Sequence, residues 1–247
     1  MKGSIKEAIE YIKTSKHTTA FTGAGISVES GIPPFRGPHG LWNKYDPQCL
    51  DLRYFDAYPE KAWPVIKEIF YDFFDEARPN KAHDALARME AAGFLKAVIT
   101  QNIDNLHQES GSKTVYEFHG NSKRLLCRKC NSYSKVSHDT FKDVPPHCDK
   151  CDTILKPDFI FFGEMIPEEA NMKSFMEADA AEVFILIGTT GEVMPANMLP
   201  RIAKQHGAKI IEINTSISAY TDTVSDVFLQ GKATEIMWDI IKGLDLA

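Results

Sequence analysis

The chain has 247 residues, of which 43% are hydrophobic and 25% charged, and its formal net charge is -6 at pH 7. This composition is typical of a protein with a folded core, and no apolar run approaches the roughly 20 residues that a transmembrane helix needs. The acidic balance argues against nucleic-acid binding, which depends on cations that neutralise phosphates. We therefore expect a cytoplasmic protein without direct binding to membranes or nucleic acids.

The N-terminal segment predicts a surface helix. Ile5, Ala8, Ile9 and Ile12 recur at helical spacing with charged residues between them, so the helix would have one apolar face. A signal peptide needs a continuous apolar stretch instead. We expect this segment to pack on the rest of the protein.

A glycine-rich turn follows the first strand-like run. Its sequence is Thr22-Gly23-Ala24-Gly25-Ile26-Ser27. Two glycines let backbone approach a ligand closely, and a helix that starts here would point its N-terminus at a phosphate. The full dinucleotide fingerprint is absent, because Val28 stands where its third glycine would be. On these residues alone, a plain tight turn is an equal alternative.

Strand-like and helical patterns alternate through most of the chain. Strand-like runs occupy residues 17–22, 96–100, 115–118, 158–162, 182–188 and 209–214, and helical patterns occupy 82–92, 167–178, 195–206 and 234–243. Such alternation predicts an α/β fold with a mostly parallel, doubly wound sheet and helices on both faces.

Two segments interrupt this alternation. Residues 33–80 are rich in proline and aromatic residues, and Trp63, Ile66, Phe70 and Phe73 have helical spacing. This spacing predicts a helical insertion with its own apolar face. Residues 121–156 are polar and have few large apolar side chains. A segment of this composition needs a metal to fold. We predict that both segments are parts of a smaller domain inserted in the larger one.

Four of the five cysteines form two close pairs. The ligands we predict are Cys127, Cys130, Cys148 and Cys151, arranged as Cys-x2-Cys twice. Each pair can supply two thiolates from a tight turn, and two such turns complete a tetrahedral zinc site. A catalytic zinc needs an open position, which four thiolates do not leave. We therefore predict one structural zinc ion.

Several motifs, in order along the chain, resemble those of one enzyme family. They are residues 30–37 (SGIPPFRG), 101–104 (QNID), 118–120 (FHG), the four cysteines, 162–164 (FGE) and 188–190 (GTT). Their order and spacing resemble the sirtuins, the NAD-dependent protein-lysine deacylases, from about residue 5 to residue 243.

The resemblance implies a division of the chain. Residues 1–32, 81–120 and 157–247 would form a Rossmann-like NAD-binding domain. Residues 33–80 would form a helical module with a cofactor loop, and residues 121–156 a zinc-ribbon module. NAD and an acyl-lysine protein or peptide would then meet in the cleft between the larger and the smaller domain.

The resemblance also implies roles for individual residues. His119 would be the general base, and Asn102 would act beside it. The implied NAD contacts are Gly23, Ala24, Gly25, Ser27, Phe35, Arg36, Gln101, Asn102, Ile103, Asp104, Gly188, Thr189, Thr190, Asn214 and Ala233. The implied substrate contacts are Ile160, Phe162, Gly163, Glu164, Glu192 and Val193.

Local alternatives exist for some of these roles. Asn102 and Asp104 could cap a helix that begins at Ile103. A lone histidine such as His119 is more often structural than catalytic, although an imidazole with a pKa near ~6.5 suits proton transfer at neutral pH. The alternative for Arg36 is a surface ion pair.

Three positions depart from the family pattern. Pro34 stands where many sirtuins have Asp, Thr190 stands for a common Ser, and Glu192 stands for an apolar residue. We hypothesise that Glu192 favours basic residues beside the target lysine. Ile66 and Ile69 align with the Tyr and Arg that recognise succinyl and malonyl groups, so a neutral acyl group, acetyl first, is expected.

Two other functions compete with a deacetylase. One is a zinc ribbon that binds nucleic acid, which the negative net charge opposes. The other is an NAD-dependent mono-ADP-ribosyltransferase on the same fold. His119 favours deacylation, because a transferase has less need of a base.

Overall fold

A parallel sheet forms the centre of the computed structural model, which describes residues 3–37, 40–72, 77–137 and 139–247. Numbered along the chain, its strands are β1 (Thr18–Thr22), β2 (Ala97–Thr100), β3 (Val115–Glu117), β7 (Val183–Ile187), β8 (Lys209–Asn214) and β9 (Val227–Gln230). Their order in the sheet is β3-β2-β1-β7-β8-β9, and each neighbouring pair is parallel. The prediction of a mostly parallel sheet is confirmed.

Helices cover both faces of this sheet. One face packs on α1 (Ile5–Thr14), α4 (Lys81–Ala91) and α8 (Ala233–Gly243), and the other on α6 (Glu168–Ala180) and α7 (Leu199–Gln205). The central strands β1 and β7 are buried along their whole length. Strands covered on both faces lack an alternation of polar and apolar residues. VFILI is wholly apolar, and TTAFT combines two apolar residues with β-branched threonines, which favour strands.

The strand order reverses between β1 and β7. The chain forms β1, β2 and β3 on one side and then crosses over to form β7, β8 and β9 on the other. Loops diverge at the carboxyl ends of the strands at such a point and leave a crevice in which ligands bind. The loops that follow Thr22 and Ile187 therefore face the same crevice.

A second, antiparallel sheet belongs to the smaller part of the molecule. It contains β4 (Gly120–Leu126), β5 (Tyr133–Lys135) and β6 (Lys156–Phe159), with β4 in the middle. The strand expected at 158–162 is β6, and it pairs with β4 instead of joining the parallel sheet. An apolar run shows that a strand is buried but does not show its partner, so the sequence could not distinguish the two sheets.

The helical module and the cysteine ribbon share one core. Helices α2 (Leu52–Ala57) and α3 (Pro59–Phe70) contribute Phe55, Trp63, Ile66 and Phe70, which pack with Phe159 and Phe161. The indole Nε1 of Trp63 donates a hydrogen bond to the carbonyl of Leu155 at 2.8 Å. Phe73, the fourth residue of the apolar helical pattern, lies outside the described residues. The module boundaries expected from the sequence stay a prediction.

The remaining helices agree with the sequence except at one place. The pattern at 195–206 divides into a 3-10 helix (Ala196–Met198) and α7, because Pro200 occupies the first turn of α7. Three further short helices are Leu41–Asn43, Pro47–Leu50 and α5 (Leu106–Glu109). None of the helices in the described ranges combines the length and the apolar character that crossing a bilayer requires.

Candidate active site and metal centre

A cavity of about 640 Å³ lies at the carboxyl ends of β1 and β7 and extends to the core of the smaller part. The residues predicted from the sequence that line it are Gly23, Ala24, Gly25, Phe35, Arg36, Gln101, Asn102, Ile103, His119, Ile160, Phe162, Gly163, Glu164, Gly188, Thr189, Thr190, Glu192, Val193, Asn214 and Ala233. Ser27 and Asp104 were predicted to contact the cofactor but lie behind this lining.

The glycines of the first loop are required by a contact with the second loop. The amides of Gly23 and Gly25 donate to the carbonyls of Ile187 and Gly188, both at 2.9 Å. A Cβ atom on Gly25 would lie 2.5 Å from the Cα of Gly188. These two amides are therefore already used, and the helix that follows the loop is a 3-10 helix (Ala24–Ser30).

Ser27 and Asp104 hold Asn102 in place. The Asn102 side-chain amide donates to the Gly23 carbonyl and to Ser27 Oγ, each at 3.1 Å, and Ser27 Oγ donates to Asp104 Oδ2 at 2.7 Å. Both amide hydrogens are used, so Oδ1 is the atom that Asn102 can offer to a ligand. Burial raises the pKa of the Asp104 carboxyl.

The helix-capping alternative holds for only one of these residues. Helix α5 begins at Leu106, not at Ile103, and Asp104 Oδ1 accepts a hydrogen bond from the Leu106 amide at 3.0 Å. Asn102 caps nothing, and its side chain lines the cavity.

His119 is held in one tautomer. Its Nδ1 lies 3.1 Å from the carbonyl oxygen of Gln101. A carbonyl only accepts, so Nδ1 carries the proton and Nε2 carries the lone pair. Burial lowers the pKa of His119, and the hydrogen bond to Gln101 opposes that shift. The neutral ring at the cavity wall therefore presents a base.

Gly120 stands where the backbone leaves no room for a side chain. Its φ is +79°, and an added Cβ would lie 2.5 Å from the Asp158 carbonyl oxygen. The close approach of β6 and the left-handed conformation both exclude a side chain here.

Thr189 connects the two sides of the crevice. Gln101 Nε2 donates to Thr189 Oγ1 at 3.1 Å, and Asn214 Nδ2 donates to the Thr189 carbonyl at 3.0 Å. Three predicted residues from the ends of β2, β7 and β8 are thus fixed relative to one another.

Two residues on the substrate side of the cavity, Phe162 and Glu164, already have hydrogen-bond partners within the protein. The Phe162 backbone already pairs with Leu50 and Leu52, at 2.8 and 3.1 Å. The Glu164 carboxylate turns inward, where its Oε2 accepts from the Phe161 amide at 2.7 Å and lies 2.8 Å from Lys156 Nζ. The Phe162 backbone and the Glu164 carboxylate are therefore engaged within the protein, and the substrate contacts of residues 162–164 stay a prediction.

Two buried histidines lie beneath the glycine-rich loop. His107 Nε2 is 2.9 Å from Thr22 Oγ1, and its ring packs edge-on to His83 with centroids 4.9 Å apart. The Asn80 amide donates to His83 Nδ1, and the Asn80 side chain donates to the Ile26 carbonyl at 2.8 Å. Burial lowers the pKa of His83 to about 4 and holds that of His107 well below its usual value.

The four cysteines meet in two turns of the same shape. In each, the second cysteine is followed by a residue with positive φ, Asn131 or Asp152. All four Sγ atoms lie within 4.8 Å of one another. Zinc–sulfur bonds of about 2.3 Å in a tetrahedron place the sulfurs about 3.8 Å apart, and the Cys127–Cys151 and Cys130–Cys148 separations are 3.4 and 3.7 Å. The cluster fits one structural zinc ion, and none of its cysteines lines the cavity.

Comparison with known proteins identifies the family. The model described as the Sir2 family matches residues 23–195. The chain belongs to the Sir2 family. The NAD-dependent protein deacetylase 1 of Pyrobaculum aerophilum is 43% identical over 94% of this chain and 92% of its own length. The NAD-dependent protein deacylase of Pyrococcus abyssi is 42% identical over 94% and 95%.

Solved Sir2 structures share the whole fold. A mutant Sir2 homologue with ADP-ribose has a TM-score of 0.92 at 40% identity and covers 97% of this chain and 96% of its own. A Sir2 variant with a deacetylated p53 peptide and 3'-O-acetyl ADP-ribose has a TM-score of 0.93 at 34% identity and covers both chains completely. The resemblance stated from the sequence is confirmed.

One ion pair in this Sir2 protein spans the mouth of the cavity. Arg36 Nε lies 3.1 Å from Glu192 Oε2, and the two side chains are 43% and 58% exposed. The surface ion pair considered for Arg36 therefore exists, and its partner is Glu192, one of the three residues expected to depart from the family pattern.

The sequence missed several residues that line the cavity. They are Glu29, Trp42, Leu50, Phe70, Ser216 and Lys232. Phe70 was recognised only as part of an apolar helical face. Glu29 Oε2 accepts from Thr234 Oγ1 at 2.8 Å and joins the first loop to the start of α8. Contacts between such distant segments leave no local signal.

Proposed function

We propose that this chain is an NAD-dependent protein-lysine deacetylase that releases nicotinamide and O-acetyl-ADP-ribose. The observation that carries the proposal is the orientation of His119, whose Nδ1 donates to the Gln101 carbonyl and so leaves the Nε2 lone pair for proton transfer at the cavity wall. Family membership and the names of the relatives support the same reaction.

Different residues of the cavity would carry out different steps of this reaction. As a co-substrate, NAD would supply the ribose that accepts the acyl group: the acyl oxygen would displace nicotinamide, and cleavage of the amide bond, with uptake of one water, would free the lysine amine. His119 would accept the proton of the ribose hydroxyl that attacks the acyl carbon. Asn102 Oδ1 would hold a ribose hydroxyl, because both of its amide hydrogens are occupied. Arg36, Thr189 and Thr190 would bind phosphate and ribose oxygens.

The acyl group is proposed to be neutral, with acetyl first. Toward the core of the smaller part, the cavity is lined by aromatic residues that include Phe70, Phe159 and Phe161. Among the described residues of the whole lining, the lysines and arginines are Arg36 and Lys232, and both belong to other segments. Ile66 and Ile69 are fully buried in the core and do not line the cavity. Lys156, which lies behind this wall, is already paired with Glu164. A carboxylate at the apolar end would therefore be buried unpaired. Longer neutral chains remain compatible with this wall.

The proposed partner is an acyl-lysine segment of a protein. Solved Sir2 structures contain p53 peptides, and in this chain the backbone from Gly163 and near Val193 would add the segment as a strand. Cytoplasmic location and the lack of direct nucleic-acid binding stay predictions.

The test is product analysis with NAD and an acetyl-lysine peptide. We expect free nicotinamide, deacetylated peptide and O-acetyl-ADP-ribose in equal amounts. His119→Ala should lose about 10²- to 10⁴-fold in kcat, while His206→Ala, a change at an exposed histidine, should keep activity. Transfer of ADP-ribose to protein without deacetylation would replace this proposal with the transferase. Preference for succinyl-lysine over acetyl-lysine would refute the neutral acyl group.

A further inference from the structure

A buried lysine lies directly behind the substrate side of the cavity. Lys156 is 3% exposed, although lysine side chains are almost never fully buried unless they are paired. Its Nζ lies 2.8 Å from Glu164 Oε2 and donates to the carbonyls of Pro157 and Phe159 at 2.9 and 2.7 Å. An ammonium group has three hydrogens, so these three partners satisfy it completely.

The partners of Lys156 hold one short segment. Every residue from 159 to 164 lines the cavity. Lys156 fixes the Phe159 carbonyl at the start of this segment, and the Glu164 carboxylate at its end binds the Phe161 amide at 2.7 Å. Lys156 Nζ also lies 4.1 Å from the centroid of the Phe161 ring, within the range of a cation–π contact. The Lys156–Glu164 ion pair, in which Lys156 is buried and Glu164 partly buried, therefore holds the segment at both ends and in the middle.

The same segment contacts the catalytic side of the cavity. The Ile160 amide donates to the His119 carbonyl at 2.9 Å, and the Glu164 amide donates to the Phe161 carbonyl at 3.0 Å. A shift of the segment would therefore change both the wall that faces the acyl-lysine and its distance from His119.

We propose that the Lys156–Glu164 ion pair is a positioning device for the acyl-lysine substrate, which fixes residues 159–164 in the shape that receives the peptide. This inference rests on the proposed deacetylase function. Lys156 does not line the cavity, so it acts through Glu164, Phe159 and Phe161. The NAD contacts come from other segments, so the pair should affect peptide binding more than NAD binding.

The test compares Lys156→Met, Glu164→Gln and the double variant with Lys142→Met. Lys142 forms an exposed ion pair in the same module and serves as the control. Binding of a fluorescent acetyl-lysine peptide and of NAD is measured separately, together with kcat, zinc content and melting temperature. For Lys156→Met we expect the peptide Kd and KM to rise on the order of 10- to 100-fold. NAD affinity and zinc content should stay at the wild-type value.

The double variant separates positioning from stability. Removing one partner of a buried pair leaves an uncompensated charge, and removing both relieves that penalty. We therefore expect the melting temperature to recover in the double variant while the peptide affinity stays low. Recovery of both together, or equal weakening of NAD and peptide binding in Lys156→Met, would overturn the inference. If Lys156→Met does not fold, Glu164→Gln, which keeps an acceptor for the Phe161 amide, carries the comparison.

Hydrogen exchange tests the inference independently of the reaction. The Phe161 amide should exchange faster in Lys156→Met than in the wild type and in Lys142→Met. An unchanged exchange rate would overturn the inference even if the protein is a deacetylase. If the wild-type protein neither binds nor deacetylates the peptide, the proposed function is refuted. The exchange rate of the Phe161 amide would then still show whether the ion pair fixes residues 159–164.

Discussion

Gly25→Ala tests whether the contact between the two loops keeps the cofactor crevice in shape. The new Cβ would lie 2.5 Å from Gly188 Cα and 2.9 Å from its carbonyl oxygen. Carbon atoms in contact prefer about 3.5–4.0 Å, so the loops must separate by about 1 Å. Both opposing atoms are backbone, so no side chain can rotate away. Gly25 has no positive φ, so alanine itself meets no conformational strain.

The expected cost follows from overpacking. Such changes cost about 1–3 kcal/mol, which lowers the melting temperature of a protein of this size by roughly 2–12 °C. A displacement of about 1 Å at a reacting site can cost about 100-fold, so kcat/KM for NAD should fall sharply. Calorimetric melting, NAD titration and steady-state kinetics measure these effects.

Gly231→Ala is the matched control for this experiment. Gly231 also lines the cavity, but its added Cβ would meet only the side-chain end of Ile236, at 3.1 Å. That methyl group can rotate, so we expect near-wild-type stability and NAD affinity. If Gly25→Ala behaves like Gly231→Ala in both measurements, the backbone contact does not hold the crevice and the argument is refuted.

Three further predictions concern the base, the metal and the mouth of the cavity. Because burial lowers the pKa of His119, activity should fall on the acid side only below about pH 6.5, the usual pKa of histidine; an acid limb above this value in a kcat/KM profile would contradict the assignment. Chelation should release one zinc per chain and remove activity together with circular-dichroism signal, whereas inactivation without structural loss would indicate a catalytic zinc. Glu192→Ala should reduce kcat/KM more for peptides with basic flanking residues than for neutral ones. Equal kinetics on both peptides would exclude this selectivity, and the exposed pair with Arg36 should contribute only about 0.2–1 kcal/mol to stability.

The sequence predicted the parallel sheet because its central strands are buried on both faces. Runs such as Val183–Ile187 contain only large apolar residues, and helical patterns separate them. It missed β9, which is a four-residue strand without a distinctive pattern. It also could not choose between two sheets for β6, since strand pairing depends on distant segments.

The sequence predicted which residues line the cavity where a recognisable motif follows the end of a strand. His119, Asn102 and Gly188 lie in the cavity because the carboxyl ends of parallel strands meet at one edge. Ser27 and Asp104 lie behind the cavity lining and hold the Asn102 side chain, and their contacts with the cofactor stay a prediction. The role of Lys156 was not predictable from the sequence, because a lysine is expected at the surface unless tertiary contacts bury it.

The two histidines beneath the glycine-rich loop make this fold sensitive to acid for a reason unrelated to carboxylates. In the unfolded chain both rings take up protons near pH 6.5, whereas burial keeps His83 neutral down to about pH 4. The unfolded state therefore binds more protons in this window, and stability falls as the pH decreases through it, by on the order of 3 kcal/mol for His83 alone. His83 Nε2 and His107 Nδ1 have no hydrogen-bond partner among the described residues. At weakly acidic pH, the region beneath the glycine-rich loop would thus lose stability before the surface carboxylates became protonated.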